Sequence, residues 1–167
     1  NVLHWSISQL GGMKPHPKTM FVLPIIEAEI KLLHASAQAK GIKMTSLVAP
    51  EAQLMVDSNH LAIIIRNLLQ NAIKFTPTQG EISIKSAEKE KQFQLEIKDT
   101  GIGISQEQLR KLFTINESSS QQGTSQEKGT GLGLVLVKEL VIANKGTIEI
   151  KSEIGKGCTC SITFQQS

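Results

Sequence analysis

The chain has 167 residues, enough for one globular domain with its own core. Hydrophobic residues make up 40% and charged residues 20%, which excludes a wholly disordered chain. Lys plus Arg number 18 against 15 Asp plus Glu, a net charge of +3 that is too mild for nucleic-acid binding by charge, with no arginine-rich run to add to it.

Asn1 to Leu10 places Val2, Leu3, Trp5, Ile7 and Leu10 at roughly helical spacing. The chain opens inside this segment, so residues 1–12 are expected to be the tail of a longer helix and the chain a fragment of a longer protein. No secretory signal and no apolar run of about eighteen residues, the length of a membrane span, is visible. Gly11 to Pro17 breaks the pattern and reads as a linker over 13–18. Thr19 to Leu23 is a short candidate strand. Pro24 suits the first turn of a helix running to about Lys40, with Ile25, Ile26, Ile30, Leu33 and Ala37 on one side and Gly41 closing it. Ile42 to Val48 reads as a strand. Asp57 can cap the next helix, where Leu61, Ile64, Ile65, Leu68, Leu69 and Ala72 follow the 3.6-residue period. That helix should stop near Phe75, because Pro77 disfavours helical geometry at Thr76.

Glu81 to Ser86 and Gln92 to Lys98 alternate as strands, joined by a charged loop over Glu88 to Lys91. A short helix is expected at Gln106 to Leu112, and an apolar helix at Leu132 to Ala143. Thr147 to Ser152 and Cys158 to Phe164 complete the set. In the last strand Cys158, Cys160, Ile162 and Phe164 share one side, and Thr159, Ser161 and Thr163 the other. The two cysteines read as core side chains, since no partner ligands with metal-site spacing accompany them. The pattern predicts an α+β fold, a two-layer α/β sandwich of about five mixed strands packed on three helices.

Three patterns suit a nucleotide. Asn67, Asn71 and Lys74 lie at i, i+4 and i+7 on the polar stripe of the Asp57-capped helix. They offer amide oxygen for Mg²⁺ and a cation for phosphate, or else form a solvated face. Asp99-Thr-Gly101-Ile-Gly103 follows an apolar strand directly. Its acceptor suits the exocyclic amine of adenine and would repel the guanine carbonyl; a tight turn is the plainer reading. Gly129-Thr130-Gly131-Leu132-Gly133-Leu134 opens the apolar helix, where free N–H groups and the dipole favour an anion; a glycine hinge is the alternative. Asn116 to Lys128, between the last two, is nearly all polar and is expected to be a mobile lid loop.

Taken in order, these segments resemble the catalytic domain of sensor histidine kinases, in the Bergerat-type ATPase superfamily shared with gyrase, MutL and a heat-shock chaperone. Asn67 to Pro77 resembles the asparagine box, Asp99 to Gly103 the first glycine box, Lys111-Leu-Phe113 the phenylalanine box and Gly129 to Leu134 the second glycine box. Gly155 to Thr159 is similar to the segment before the last strand. The resemblance runs from about Thr19 to Phe164 and implies a Bergerat-type fold, with 19–167 as an ATP-binding catalytic domain.

It also implies roles. Asp99 would bind the adenine amine, with Thr159 helping through water. Asn71 would ligate Mg²⁺ and Lys74 would contact phosphate. Gly101 and Gly103 would shape the adenine side. Gly129, Thr130, Gly131, Leu132, Gly133 and Leu134 would line the phosphates, with Phe113 at the base of the lid. Asn67 and Lys74 would take the catalytic positions. Hydrolysing relatives typically carry Glu where Asn67 stands; Asn cannot take a proton from water, which favours transfer to an acceptor bringing its own nucleophile. That acceptor would be a histidine on an upstream dimerisation helix outside this chain. His4 and His16 are not proposed for it, and His34 and His60 are structural or solvated. The implied cofactors are ATP and Mg²⁺. The implied partners are the upstream helices and a response regulator receiver domain, without nucleic acid. The fragment would be monomeric, its parent a homodimer, and the domain cytoplasmic, with membrane attachment of the parent left open. The shortened phenylalanine box and arginine-free lid, which leave Arg110 or Lys128 as lid cations, keep a catalytically weak nucleotide-binding module as the alternative, beside another ATPase or serine kinase of the superfamily.

Overall fold

The computed structural model describes Gln9 and residues 14–113, 123–125 and 132–166. Its elements are β1 (Lys18–Phe21), α1 (Leu23–Ala39), β2 (Lys43–Leu47), β3 (Gln53–Val56), α2 (Ser58–Phe75), β4 (Glu81–Lys89), β5 (Gln92–Asp99), α3 (Gln106–Lys111), α4 (Gly133–Ala143), β6 (Gly146–Glu153) and β7 (Gly157–Gln165). Five strands form one sheet in the order β2-β4-β5-β7-β6. β2 runs parallel to β4, and every other pairing in that sheet is antiparallel. The expected mixed α+β sandwich is therefore present, with α1, α2 and α4 as its helical layer.

Local chemistry accounts for the helix ends. Asp57 caps α2, its carboxylate accepting from the N–H groups of Asn59 and His60. Pro77 leaves Thr76 extended, at φ −95° and ψ 127°, so α2 stops at Phe75 as the sequence predicts. Ser105 and Gln108 form a reciprocal capping box on α3. The alternating residues of the sheet supply one side of the core: Ile82 and Ile84, Phe93, Leu95 and Ile97, Cys160, Ile162 and Phe164. Ile26 and Leu33 of α1, Leu61, Ile64, Leu68 and Leu69 of α2, and Val137, Leu140 and Val141 of α4 supply the other. α2 packs between α1 and α4.

The structure departs from the sequence expectation in three places. Gln53–Val56 is a strand that the periodicity did not reveal; it pairs antiparallel with β1 in a separate two-stranded sheet. Four residues between Pro50 and Asp57 are too few for a pattern, and only their partner makes them a strand. The β4–β5 connection is shorter than expected: Glu88 and Lys89 stay in the ladder, and Glu90 and Lys91 alone make the turn, at φ 50° and 67°. Glu29 is buried in α1 beside the apolar residues that the helical period picks out. Cys158 is only half-buried, in contrast to Cys160. The expected helical tail over 1–12 lies, apart from Gln9, outside the described residues. Residues 14–17 carry no regular element before β1. Among the described residues no helix is long and apolar enough to cross a membrane.

Candidate nucleotide site

The end of β5 delivers Asp99 to the core-facing side of the sheet, where its exposure is 8%. Its Oδ1 accepts from the N–H of Gly101 at 2.8 Å and of Cys158 at 3.2 Å. Among the described residues Oδ2 has no hydrogen-bond partner, which leaves it as the oxygen that can meet a ligand. Burial pushes the carboxyl pKa up, and those two N–H groups oppose the shift. Gly101 is needed for close approach: a Cβ there would stand 2.6 Å from the carbonyl oxygen of Phe75 and 2.7 Å from Asp99 Oδ1. The neighbouring Ile102 N–H donates to Phe75 O at 3.0 Å, so the loop after β5 is tied to the C-terminal end of α2. Gly103 lies against Glu153 and Ile154, and Ile102 O accepts from the N–H of Gly155.

The polar stripe of α2 is half-buried at Asn67, Asn71 and Lys74. Asn67 donates through Nδ2 to Ile63 O at 2.8 Å. Its Oδ1 faces the start of α4: a Cβ at Gly133 would sit 3.0 Å from it, and 4.0 Å from Asn71 Nδ2. Glycine at 133 thus lets the N-terminus of α4 approach the stripe. Leu132, at the N-cap, makes no side-chain cap bond, and a helix N-terminus directs N–H groups and the positive dipole end at an anion. Leu134 is half-buried behind it. Lys74 Nζ stands 4.9 Å from the centre of the Phe75 ring. Lys138 of α4 stands 5.1 Å from the ring of Phe113, just past α3, linking the two elements that flank the polar segment. Gly129, Thr130 and Gly131 lie outside the described residues, as does most of the expected lid; Gly123, Thr124 and Ser125 are described.

Thr159 is not brought to Asp99. The β5–β7 register pairs Lys98 with Thr159 and Asp99 with Cys158, so Thr159 shares the outer face with Lys98. The residue beside the carboxylate is Cys158, through its N–H and its side chain. Burial and the charge of Asp99 push the Cys158 thiol up to about 12, so it is a neutral thiol rather than a nucleophile. The alternation already put Thr159 on the side opposite the buried residues; only the resemblance assigned it to the adenine site. Lys40, for which the sequence pattern gives no signal beyond the end of a helix, is also part of this region: its ammonium reaches the carbonyls of Ile73 and Lys74 in the last turn of α2.

The donor set fits Mg-ATP. Mg²⁺ takes few protein oxygens and completes its shell with phosphate and water, and the asparagine amides beside the N-terminus of α4 match that need. A two-layer sandwich with a buried acceptor at one strand end and an asparagine stripe beneath a glycine-opened helix defines a nucleotide-binding ATPase or kinase domain. Residues 56–167 match the family described as histidine kinase-, DNA gyrase B-, and HSP90-like ATPase, and the chain belongs to that family. It is 34% identical over 140 residues to the histidine protein kinase DivJ of Caulobacter vibrioides, covering 82% of this chain and 23% of that one. The chain spans about a fifth of the length of the curated relatives it matches first. Among solved structures, the catalytic domain of the histidine kinase ThkA has a TM-score of 0.78 at 20% identity, covering 90% of this chain and 96% of that one. Full-length ShkA in complex with AMPPNP has a TM-score of 0.81 at 24% identity, covering 99% of this chain and 35% of that one. The fold is therefore that of histidine kinase catalytic domains.

Proposed function

We propose that the chain binds Mg-ATP and transfers its γ-phosphoryl group to a histidine on a dimerisation helix preceding it in a longer protein, as the catalytic domain of a two-component sensor kinase. The observation that carries this reading is the Asp99 carboxylate, with one oxygen fixed by backbone and the other open. That oxygen accepts from the adenine amine, and guanine presents a carbonyl there instead. Asn71 ligates Mg²⁺, which neutralises charge on the phosphate oxygens when bound. Lys74 and the backbone N–H groups of Gly131, Leu132 and Gly133 hold the phosphates, with Gly129 and Thr130 leading into that turn. Asn67 takes no proton, and none needs taking, because the acceptor imidazole supplies its own nucleophilic nitrogen. Catalysis is then positioning and electrostatic stabilisation. The resemblance supports a homodimeric parent in which this domain is cytoplasmic, and a receiver domain that takes the phosphoryl group onward.

Calorimetric titration with a non-hydrolysable ATP analogue, with and without Mg²⁺ and beside the GTP analogue, tests the binding step. ATP-selective, Mg²⁺-dependent binding that Asp99→Ala abolishes is the expected result. No binding at millimolar nucleotide would falsify the reading. A matching dimerisation hairpin added in trans with labelled ATP then tests transfer. Label on its histidine supports the kinase, and ATP binding without label leaves a nucleotide-binding module.

A further inference from the structure

The C-terminal end of α2 is closed by groups from elsewhere in the chain. A helix leaves its last carbonyls unpaired at the negative end of its dipole. With Thr76 extended, no glycine turn folds back to meet them. Phe75 O accepts from Ile102 N–H, in the loop after Asp99. Ile73 O and Lys74 O accept from Lys40 Nζ at 2.8 and 3.2 Å. Lys74 O also accepts from the N–H of Thr124 at 2.9 Å. Thr76 O accepts from the Thr124 hydroxyl at 3.0 Å, and that hydroxyl accepts from Lys40 Nζ at 2.6 Å. Lys40 is only 7% exposed, and a buried lysine persists where such acceptors surround it.

We propose that Lys40 is a positioning residue for the phosphate end of the site. It pins Thr124 onto the last turn of α2, and so fixes the backbone that carries Lys74. This rests on the nucleotide reading above. Lys40 and Thr124 bond the carbonyls of Ile73, Lys74 and Thr76, the turn that carries Lys74, whereas the Asp99 loop is held to Phe75 O by its own N–H, so the larger effect falls on phosphate.

The test uses Lys40→Met, which keeps the aliphatic stem, and Thr124→Val, which keeps Lys40, with Thr124→Ser restoring the hydroxyl. In nucleotide-free protein, hydrogen exchange at the Thr124 amide should quicken in Lys40→Met. The Leu61 amide, bonded to Asp57 O at the opposite end of α2, should not change. Affinity for the ATP analogue should fall about tenfold in Lys40→Met and Thr124→Val, as loss of a charge-assisted hydrogen bond implies, and Thr124→Ser should recover it. Adenosine affinity should hold. Equal loss of adenosine binding, or a Thr124 amide indifferent to Lys40, overturns the positioning role. Wild-type protein that binds no ATP analogue sinks the nucleotide reading and this role with it; wild-type binding that every variant preserves sinks this role alone.

Discussion

The Asp99 carboxyl is held in a setting that disfavours its charge, and that has a consequence for stability as well as for binding. Burial raises its pKa against the opposing N–H groups of Gly101 and Cys158. Between the ordinary carboxyl value and the raised one, the folded chain keeps a proton that the unfolded chain has lost. The Asp99 contribution to stability therefore falls as pH rises through that window. Asp99→Asn keeps an oxygen for the two N–H groups and removes the buried charge, but offers adenine an amide N–H in place of an acceptor. The variant should unfold at a temperature equal to or above wild type near neutral pH, lose the pH dependence of that window, and bind no ATP analogue. Thermal unfolding across about pH 4 to 8 checks this, and a large loss of stability at neutral pH would show that the charge is favourable. Asp99 was legible from its place after an apolar strand. Cys158 as its neighbour was not: which residue of β7 stands opposite Asp99 depends on register, and a one-residue slip exchanges Cys158 for Thr159.

At the scale of elements, α2 is the frame of the site. Its start was readable from Asp57 and its end from Pro77, because caps and breakers act within a few residues. Its attachment to α1 was not readable. Glu29 Oε2 and Oε1 accept from Arg66 Nε and Nη2 at 2.9 and 3.0 Å, a fork between two helices 37 residues apart in sequence. The Glu29 side chain is 6% exposed and that of Arg66 41%. Arg66→Ala leaves a buried carboxylate without its cation. The expected loss is roughly 1–3 kcal/mol, below that of a fully buried pair because water already screens Arg66. Adding Glu29→Gln should recover part of it. Denaturant unfolding of the single and double variants measures both, and a double variant no better than Arg66→Ala would show that the cost lies in lost packing.

For the molecule as a whole, a nucleotide that binds only the folded chain must stabilise it. At a hundredfold excess over Kd an ATP analogue with Mg²⁺ should add about 2.7 kcal/mol, which for a chain of this length is a rise in Tm of roughly 5–10 °C. The GTP analogue should leave Tm unchanged; equal shifts would place the discrimination somewhere other than Asp99. By itself the sequence determined most of the elements, their caps and the three nucleotide-facing segments, because hydrophobic period, proline, glycine and capping side chains act over a turn or a few strand residues. The tertiary structure alone decided that β2 joins the sheet parallel at its edge, that β1 and β3 make each other strands, that Cys158 rather than Thr159 stands beside Asp99, and that Lys40 meets Thr124, 84 residues away. Those outcomes depend on groups distant in the chain, which meet only when three helices bury their apolar faces against one side of the sheet.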